Sequence, residues 1–161
     1  YSDKIKNPKD LKDGDVVGIP DDPANGGRSL QALDALHIIK LKDNAPDSPS
    51  VKDIVSYNTK IKIKPIQADQ LVAALPDLTA AFINTNFVTD QLHTTPKKSA
   101  LYIDTDHMDK VNEIYKNVIV VCKEDKDKAD FKKIVKAYQT PEIAEIIKKT
   151  NDFPAWDTSK W

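Results

Sequence analysis

Val16 to Leu36 reads Val-Val-Gly-Ile-Pro-Asp-Asp-Pro-Ala-Asn-Gly-Gly-Arg-Ser-Leu-Gln-Ala-Leu-Asp-Ala-Leu. The pattern opens as a short apolar strand, Asp15 to Ile19, that breaks at Pro20. A polar turn carrying prolines and an Asn-Gly-Gly follows, and a helix with Leu30, Leu33 and Leu36 on one face closes it. A strand, a glycine turn and a helix start together make an anion site, because the first helical N–H groups lack partners and the helix dipole is positive there. Gly26 and Gly27 would let a ligand come close to the backbone. Arg28 falls in the first turn of the expected helix, where a positive charge opposes the dipole. Its guanidinium is therefore expected to face a negative partner, and a carboxylate matches it in geometry. The same residues also suit an ordinary βα loop with a solvated arginine.

Working outward, the remaining strands and helices repeat this alternation. Lys60 to Ile66 alternates, with Ile61 and Ile63 inward and three lysines outward, which is a strand with one wet face. Pro65 to Gln70 leads into a helix with Leu71, Ala74 and Leu75 on one side, ended by Pro76-Asp77. Leu78 to Ile83 is a continuous apolar run, as expected of a strand buried on both faces of a mostly parallel sheet. Strand, helix, strand, helix, strand defines an α/β domain, whose ligands sit beyond the C-terminal ends of the strands. Two polar clusters fall at such ends: Asn25 to Arg28, and Asn84-Thr85-Asn86.

The other segments are plainer. Asn7 starts a short helical turn with Pro8 at its first position. His37 falls at the end of the first helix, which is expected to run to about Ile39, and reads as structural. Residues 42–50 form a loop, and Val51 to Tyr57 is ambiguous, with one helical turn as an option. Gln91 to Lys98 reads as a loop and Ala100 to Asp104 as a short strand. Met108, Val111 and Ile114 or Tyr115 have helical spacing. Asn117 to Cys122 is another apolar strand, with Cys122 expected as a small buried hydrophobe. Phe131, Ile134, Val135 and Tyr138 share a helical face, and Thr140-Pro141 caps a second helix with Ile143, Ile146 and Ile147 inward.

Composition narrows the function classes. The 161 residues are enough for one domain or slightly more, and 40% hydrophobic residues supply a core. A net charge of −1, with lysines and acids interspersed, argues against a nucleic-acid partner. The single cysteine excludes an internal disulfide. Asp104, Asp106 and Asp109 lack the glycine and distal glutamate of a calcium loop, so neither metal nor cofactor is expected. The histidines are scattered, and no nucleophile elbow, Walker sequence or dinucleotide fingerprint occurs, so an enzyme is not expected.

Ile-Pro-Asp-Asp-Pro-Ala-Asn-Gly-Gly-Arg-Ser-Leu, with Leu36 to Asp43 after it, resembles the substrate-binding lipoproteins of bacterial methionine ABC importers, the NlpA-type family. Members usually read Ile-Pro-Asn-Asp-Pro-Thr-Asn, then Gly-Arg-Ala-Leu, then an Ile-Lys-Leu-Lys run. Gln67-Ala68-Asp69-Gln70-Leu71, Ile83-Asn84-Thr85-Asn86-Phe87, Asn117 to Cys122 and the ending Phe153-Pro154-Ala155-Trp156 continue the likeness. Phe87 stands where relatives mostly carry Tyr, and Cys122 where they commonly carry Arg.

The resemblance implies one lobe of a type II periplasmic-binding-protein-like fold, over residues 1–115. Residues 116–161 would be the crossover strand and C-terminal helices that belong to the first lobe in relatives. The start at Tyr1 resembles the family's first crossing between lobes, so the chain is expected to be a fragment lacking about a hundred preceding residues. Those include the lipid-anchored cysteine of an extracytoplasmic, membrane-associated protein. The implied ligand is methionine or a related amino acid or short peptide, delivered to an ABC importer permease. Arg28 would bind its carboxylate, and the side-chain carbonyls of Asn84 and Asn117 its ammonium, with Asn25, Gly27 and Asn86 nearby. The exposed apolar tail is expected to repack onto its own lobe or against another copy of the chain. An amino-acid-sensing regulatory domain and a protein-interaction domain are the alternatives.

Overall fold

In the computed structural model, which describes residues 1–107 and 118–151, strand β1 (Val16–Pro20) is the centre of a parallel three-stranded sheet. It pairs with β4 (Lys62–Ile66) on one side, Val17 opposite Ile63, and with β5 (Ala80–Ala81) on the other, Val17 opposite Ala80. The backbone of Tyr1 continues the sheet past β5, exchanging hydrogen bonds with Ala81 at 2.9 Å in both directions. A second, antiparallel pair joins β2 (Ile39–Leu41) to β3 (Ile54–Tyr57).

β1 is buried on both faces because its residues alternate between two apolar clusters. Val17 and Ile19 pack with Leu30, Leu33, Ile38, Ile39, Leu41 and Ile61. Val16, on the opposite face, joins Leu71, Leu75, Leu78 and Ala81. The first cluster is the buried face of helix α1 (Pro23–Ala35), in which Leu30 and Leu33 are fully buried. Each such side chain contributes about 1.5–3 kcal/mol by leaving water. The second cluster includes the short helix α2 (Leu71–Ala74), continued by a 3-10 turn, Leu75–Asp77. Helices on both faces of a parallel sheet give the expected α/β class.

The end of α1 departs from expectation. The helix stops at Ala35, and Ile39 already belongs to β2. His37 adopts the left-handed conformation, φ 57°. Its N–H donates to the Asp34 carbonyl, and the Ile38 N–H donates to the Leu33 carbonyl. That pattern is a Schellman ending with histidine where glycine usually stands, and Ile38 and Leu33 meet in the core behind it.

Other expectations are corrected downstream. The regular strand expected over Leu78 to Ile83 is only Ala80–Ala81, although hydrogen bonds from Thr79 and Phe82 extend its pairing with β1. Helices α3 (Thr85–Gln91) and α4 (Pro96–Ser99) frame the stretch read as a loop. Ala100 to Asp104 is not a strand; Asp104–Asp106 is a 3-10 turn. The expected turn at Asn7 is present, with Asn7 Oδ1 accepting from the Lys9 N–H at 2.9 Å. Val51–Asp53 is one 3-10 turn ahead of β3.

The chain divides into two compact units, Tyr1–Ile114 and Tyr115–Trp161. The second carries α5 (Ala129–Tyr138) and α6 (Pro141–Asn151), with Thr140 Oγ1 accepting from the Ile143 N–H at the start of α6. Phe131, Val135, Ile143 and Ile147 are half-buried, whereas Ile134, Tyr138 and Ile146 are exposed. Residues 118–122 form no strand, and Val118 and Val120 are 75% and 82% exposed. Cys122 is likewise exposed rather than buried, because no neighbouring strand covers it among the described residues. Asn117, Asp109, the helical spacing of Met108 to Tyr115 and the ending Phe153 to Trp156 lie outside the described residues.

Candidate functional site

The first turn of α1 differs from the sequence reading, and the difference reshapes the site. The helix begins at Pro23, so Asn25, Gly26 and Gly27 lie inside it rather than in a turn before it. Asp22 is the N-cap, its Oδ1 accepting from the Asn25 N–H at 2.9 Å. The free amides expected to bind an anion are thus served in part by the chain's own carboxylate. Arg28 accordingly sits in the second turn, beyond the strongest part of the dipole. Its position at a helix start was therefore no reason to expect a bound carboxylate.

The glycines serve packing. A Cβ on Gly26 would lie 2.6 Å from the Pro20 carbonyl oxygen, and one on Gly27 would lie 2.9 Å from the Ser48 Cα. Their absence lets α1 press against the end of β1 and against the 42–50 loop. Gly27 is buried there.

Three side chains make a directed relay. Asp22 accepts from Asn25 Nδ2 at 3.2 and 3.0 Å through its two oxygens. Asn25 Oδ1 in turn accepts from Asn84 Nδ2 at 2.8 Å. An ionised carboxylate only accepts, so the Asn25 amide must turn its NH2 toward Asp22 and its oxygen toward Asn84. Asn84 must then turn its NH2 toward Asn25. Its own oxygen, Oδ1, is buried and accepts no hydrogen bond within the protein among the described residues. Asn84 also stands at the N-cap of α3 without using its side chain to cap it. A buried acceptor so oriented suits a cationic donor.

Arg28 follows Asn25 by three residues on α1, so the two side chains rise from neighbouring positions on one helix face. Its guanidinium is paired with Asp104, which accepts from Arg28 Nε and, at 2.9 Å, from Nη2. Asp104 Oδ1 also accepts from the Thr105 N–H at 2.8 Å. Two phenols register its charge: Tyr1 is pushed up to about 12 by burial and then by Asp104, and Tyr102 is raised by the same causes in the same order. The structure therefore joins Asn84 to Asn25 directly, and Arg28 follows Asn25 by three residues on the same helix. Asn86 is exposed in the first turn of α3, its backbone carbonyl accepting from Thr89 Oγ1.

Sequence reasoning missed Asp22 and Asp104. Asp22 was recoverable, since Asp followed by Pro is an N-cap and first-position signature. Asp104 lies 76 residues from Arg28, and no local pattern links them. Among the described residues no cluster of His, Cys, Asp or Glu suits a metal ion, and no helix is long and apolar enough to cross a membrane.

A parallel sheet covered by helices on both faces, with polar side chains gathered beyond the C-terminal ends of β1 and β5, is an α/β arrangement of the periplasmic-binding-protein type. The family pattern of the NlpA lipoproteins matches residues 1–156, and the chain belongs to that family. It is 39% identical over 151 residues to the D-methionine-binding lipoprotein MetQ of Escherichia coli K12, covering 92% of this chain and 54% of that protein. The crystal structure of the methionine-binding protein MetQ superposes with a TM-score of 0.83 at 37% identity, covering 96% of this chain and 61% of that one. A nutrient-binding protein from Burkholderia cenocepacia bound to methionine gives 0.79 at 35% identity, covering 96% and 63%. The chain thus spans about half the length of the curated relatives it matches.

Proposed function

We propose that the chain supplies one lobe, residues 1–115, and the return segment, residues 116–161, of a binding protein that delivers methionine or a related amino acid to an ABC importer. The observation that carries this reading is the buried Asn84 Oδ1, an acceptor fixed by the relay from Asp22 and left for an outside donor. An amino acid offers such a donor in its ammonium, and Arg28, on the helix face shared with Asn25, suits its carboxylate. Asn117 would be a further polar contact, as the family resemblance implies. The protein would act outside the cytoplasm, tethered by an N-terminal lipid, and carry no catalytic step. The exposed Val118, Val120, Ile134 and Ile146 would be covered by the first lobe.

Support comes from the relatives, whose names state methionine binding, and from the site chemistry. The test is calorimetry with L- and D-methionine on the protein carrying both lobes, wild type and Asn84→Ala. Wild type should bind, and the variant should lose about 1.5–3 kcal/mol, the range for hydrogen bonds to a charged group. No binding of any amino acid by wild type, or unchanged affinity in Asn84→Ala, would overturn it.

A further inference from the structure

We propose that Asn25 is a deamidation site, converted to aspartate or isoaspartate whenever the first turn of α1 opens, and that the hydrogen-bond relay around it holds it closed. Asn25 precedes Gly26, and no other asparagine of the chain is followed by glycine. Glycine has no side chain to shield its nitrogen, so in an Asn-Gly pair the backbone reaches the amide carbon with least hindrance. The step needs only base and water. The Gly26 nitrogen loses its proton to base and attacks Asn25 Cγ. The N–Cγ bond forms, the Cγ–Nδ2 bond breaks, and Nδ2 leaves as ammonia with a proton from solvent. Water then adds to either carbonyl of the resulting five-membered imide and breaks one of its ring carbon–nitrogen bonds, leaving aspartate or isoaspartate.

The fold opposes each part of that step. The Gly26 N–H donates to the Asp22 carbonyl at 2.9 Å, and Gly26 is buried, so base does not reach the proton. The leaving group, Asn25 Nδ2, donates to the two Asp22 oxygens at 3.2 and 3.0 Å. Asn25 Oδ1 accepts from Asn84 Nδ2 at 2.8 Å, which keeps Cγ from swinging toward the Gly26 nitrogen. The guard is shallow, because it lies in the first turn of a helix, where fraying begins, and two consecutive glycines gain much entropy when that turn opens. A bulkier residue cannot take over the shielding, since a Cβ on Gly26 would lie 2.6 Å from the Pro20 carbonyl oxygen. The packing of α1 on the end of β1 thus imposes the reactive dipeptide. Either product undoes the relay. Aspartate sets a second carboxylate against Asp22 where an amide donated. Isoaspartate draws Cγ and its oxygen into the main chain beside Gly26, away from Asn84.

Mass mapping of the 161-residue chain after incubation at mildly alkaline pH tests it. Trypsin releases residues 13–28, in which Asn25 is the only side-chain amide, so the mass change of an amide becoming an acid reports this residue alone. Wild type is incubated folded and in urea, beside Asp22→Ala and Asn84→Ala. Conversion of folded wild type should be slower than in urea by about tenfold or more. Folded Asp22→Ala, which frees the leaving amide, should convert about three- to tenfold faster than folded wild type, as expected for the loss of a hydrogen bond. Asn84→Ala should fall between them, and all three should convert alike in urea. A urea melt of each variant establishes that it is folded under the incubation conditions, and Asn84→Ala decides alone if Asp22→Ala is not. No conversion of wild type in urea would overturn the reactive site. Equal rates for wild type folded and in urea would overturn the protection, and folded variants that convert at the wild-type rate would overturn the part given to the relay.

Discussion

The Asn84 side chain donates to the Asn25 side-chain oxygen at 2.8 Å across 59 residues of sequence, and the direction of that bond is dictated by Asp22. Asp22→Asn is therefore informative. Asparagine caps a helix about as well as aspartate, so the folding stability should change by less than about 0.5 kcal/mol. It also donates, so the Asn25 amide could flip and the Asn84 oxygen would no longer be presented. Methionine affinity in the protein carrying both lobes should fall about tenfold, the share of one charge-assisted hydrogen bond. Calorimetry beside a thermal melt reads both numbers, and unchanged affinity would dismiss the relay.

Gly26→Ala separates packing from helix propensity. In an unconstrained helix the change would stabilise by about 1 kcal/mol. Here the new methyl would meet the Pro20 backbone oxygen at 2.6 Å, an atom that cannot swing away. The variant should be less stable by about 1–3 kcal/mol, the usual cost of overpacking. Urea unfolding monitored by circular dichroism gives the sign directly.

His37→Gly should act in the opposite sense. The residue holds φ 57° at the Schellman position after α1, where a Cβ is strained and glycine is not. The expected gain is about 0.5–1 kcal/mol, smaller than the strain itself because glycine loses more entropy on folding. The bond from Asn58 Nδ2 to the His37 carbonyl is a backbone contact and survives the change. A variant melting no higher than wild type would show that the histidine side chain contributes something its exposure conceals.

Asp53 predicts how the loop before β3 responds to acid. Its carboxyl is lowered from 3.8 to about 2, first by its hydrogen bond with Lys42 and then by those from the Ser50 backbone and hydroxyl. A depressed folded value means the stabilisation is fully present above the unfolded value near 3.8 and is lost as the pH falls through about 2. Acid titration of stability should therefore steepen between about pH 4 and 2, and Asp53→Asn should remove that part of the slope. An identical slope in the variant would mean that other carboxylates govern the transition.

How much of this was legible in the sequence varied with how local each cause is. The α/β alternation was readable because Val17, Leu30, Ile61 and Leu71 each sit in a periodic apolar pattern set by their own element. The start of α1 lies further upstream than the sequence suggests, because Gly26 and Gly27 resemble a turn, while the close approach to Pro20 that requires a glycine is a tertiary fact. Asn25 and Asn84 were both singled out, yet their bond to one another was invisible, since spacing says nothing about contacts between elements. In the sequence Asp104 suggests only a calcium-loop position, because its partner Arg28 lies in a distant helix. Cys122 was expected inside because Val118 to Cys122 is apolar, but an apolar run becomes a buried strand only where neighbours pair with it.

The order of strands in the sheet has a consequence for how the chain is made. Both neighbours of β1, β4 and β5, are encoded far downstream of it, with Val17 meeting Ile63 and then Ala80. Neither hydrogen-bonding edge of the central strand is satisfied until β4 is complete at residue 66, and the second edge waits for β5 at residue 81. Synthesis at about 5–20 residues per second leaves that strand waiting for several seconds. The folding of this sheet is therefore governed by long-range closure rather than by helix formation.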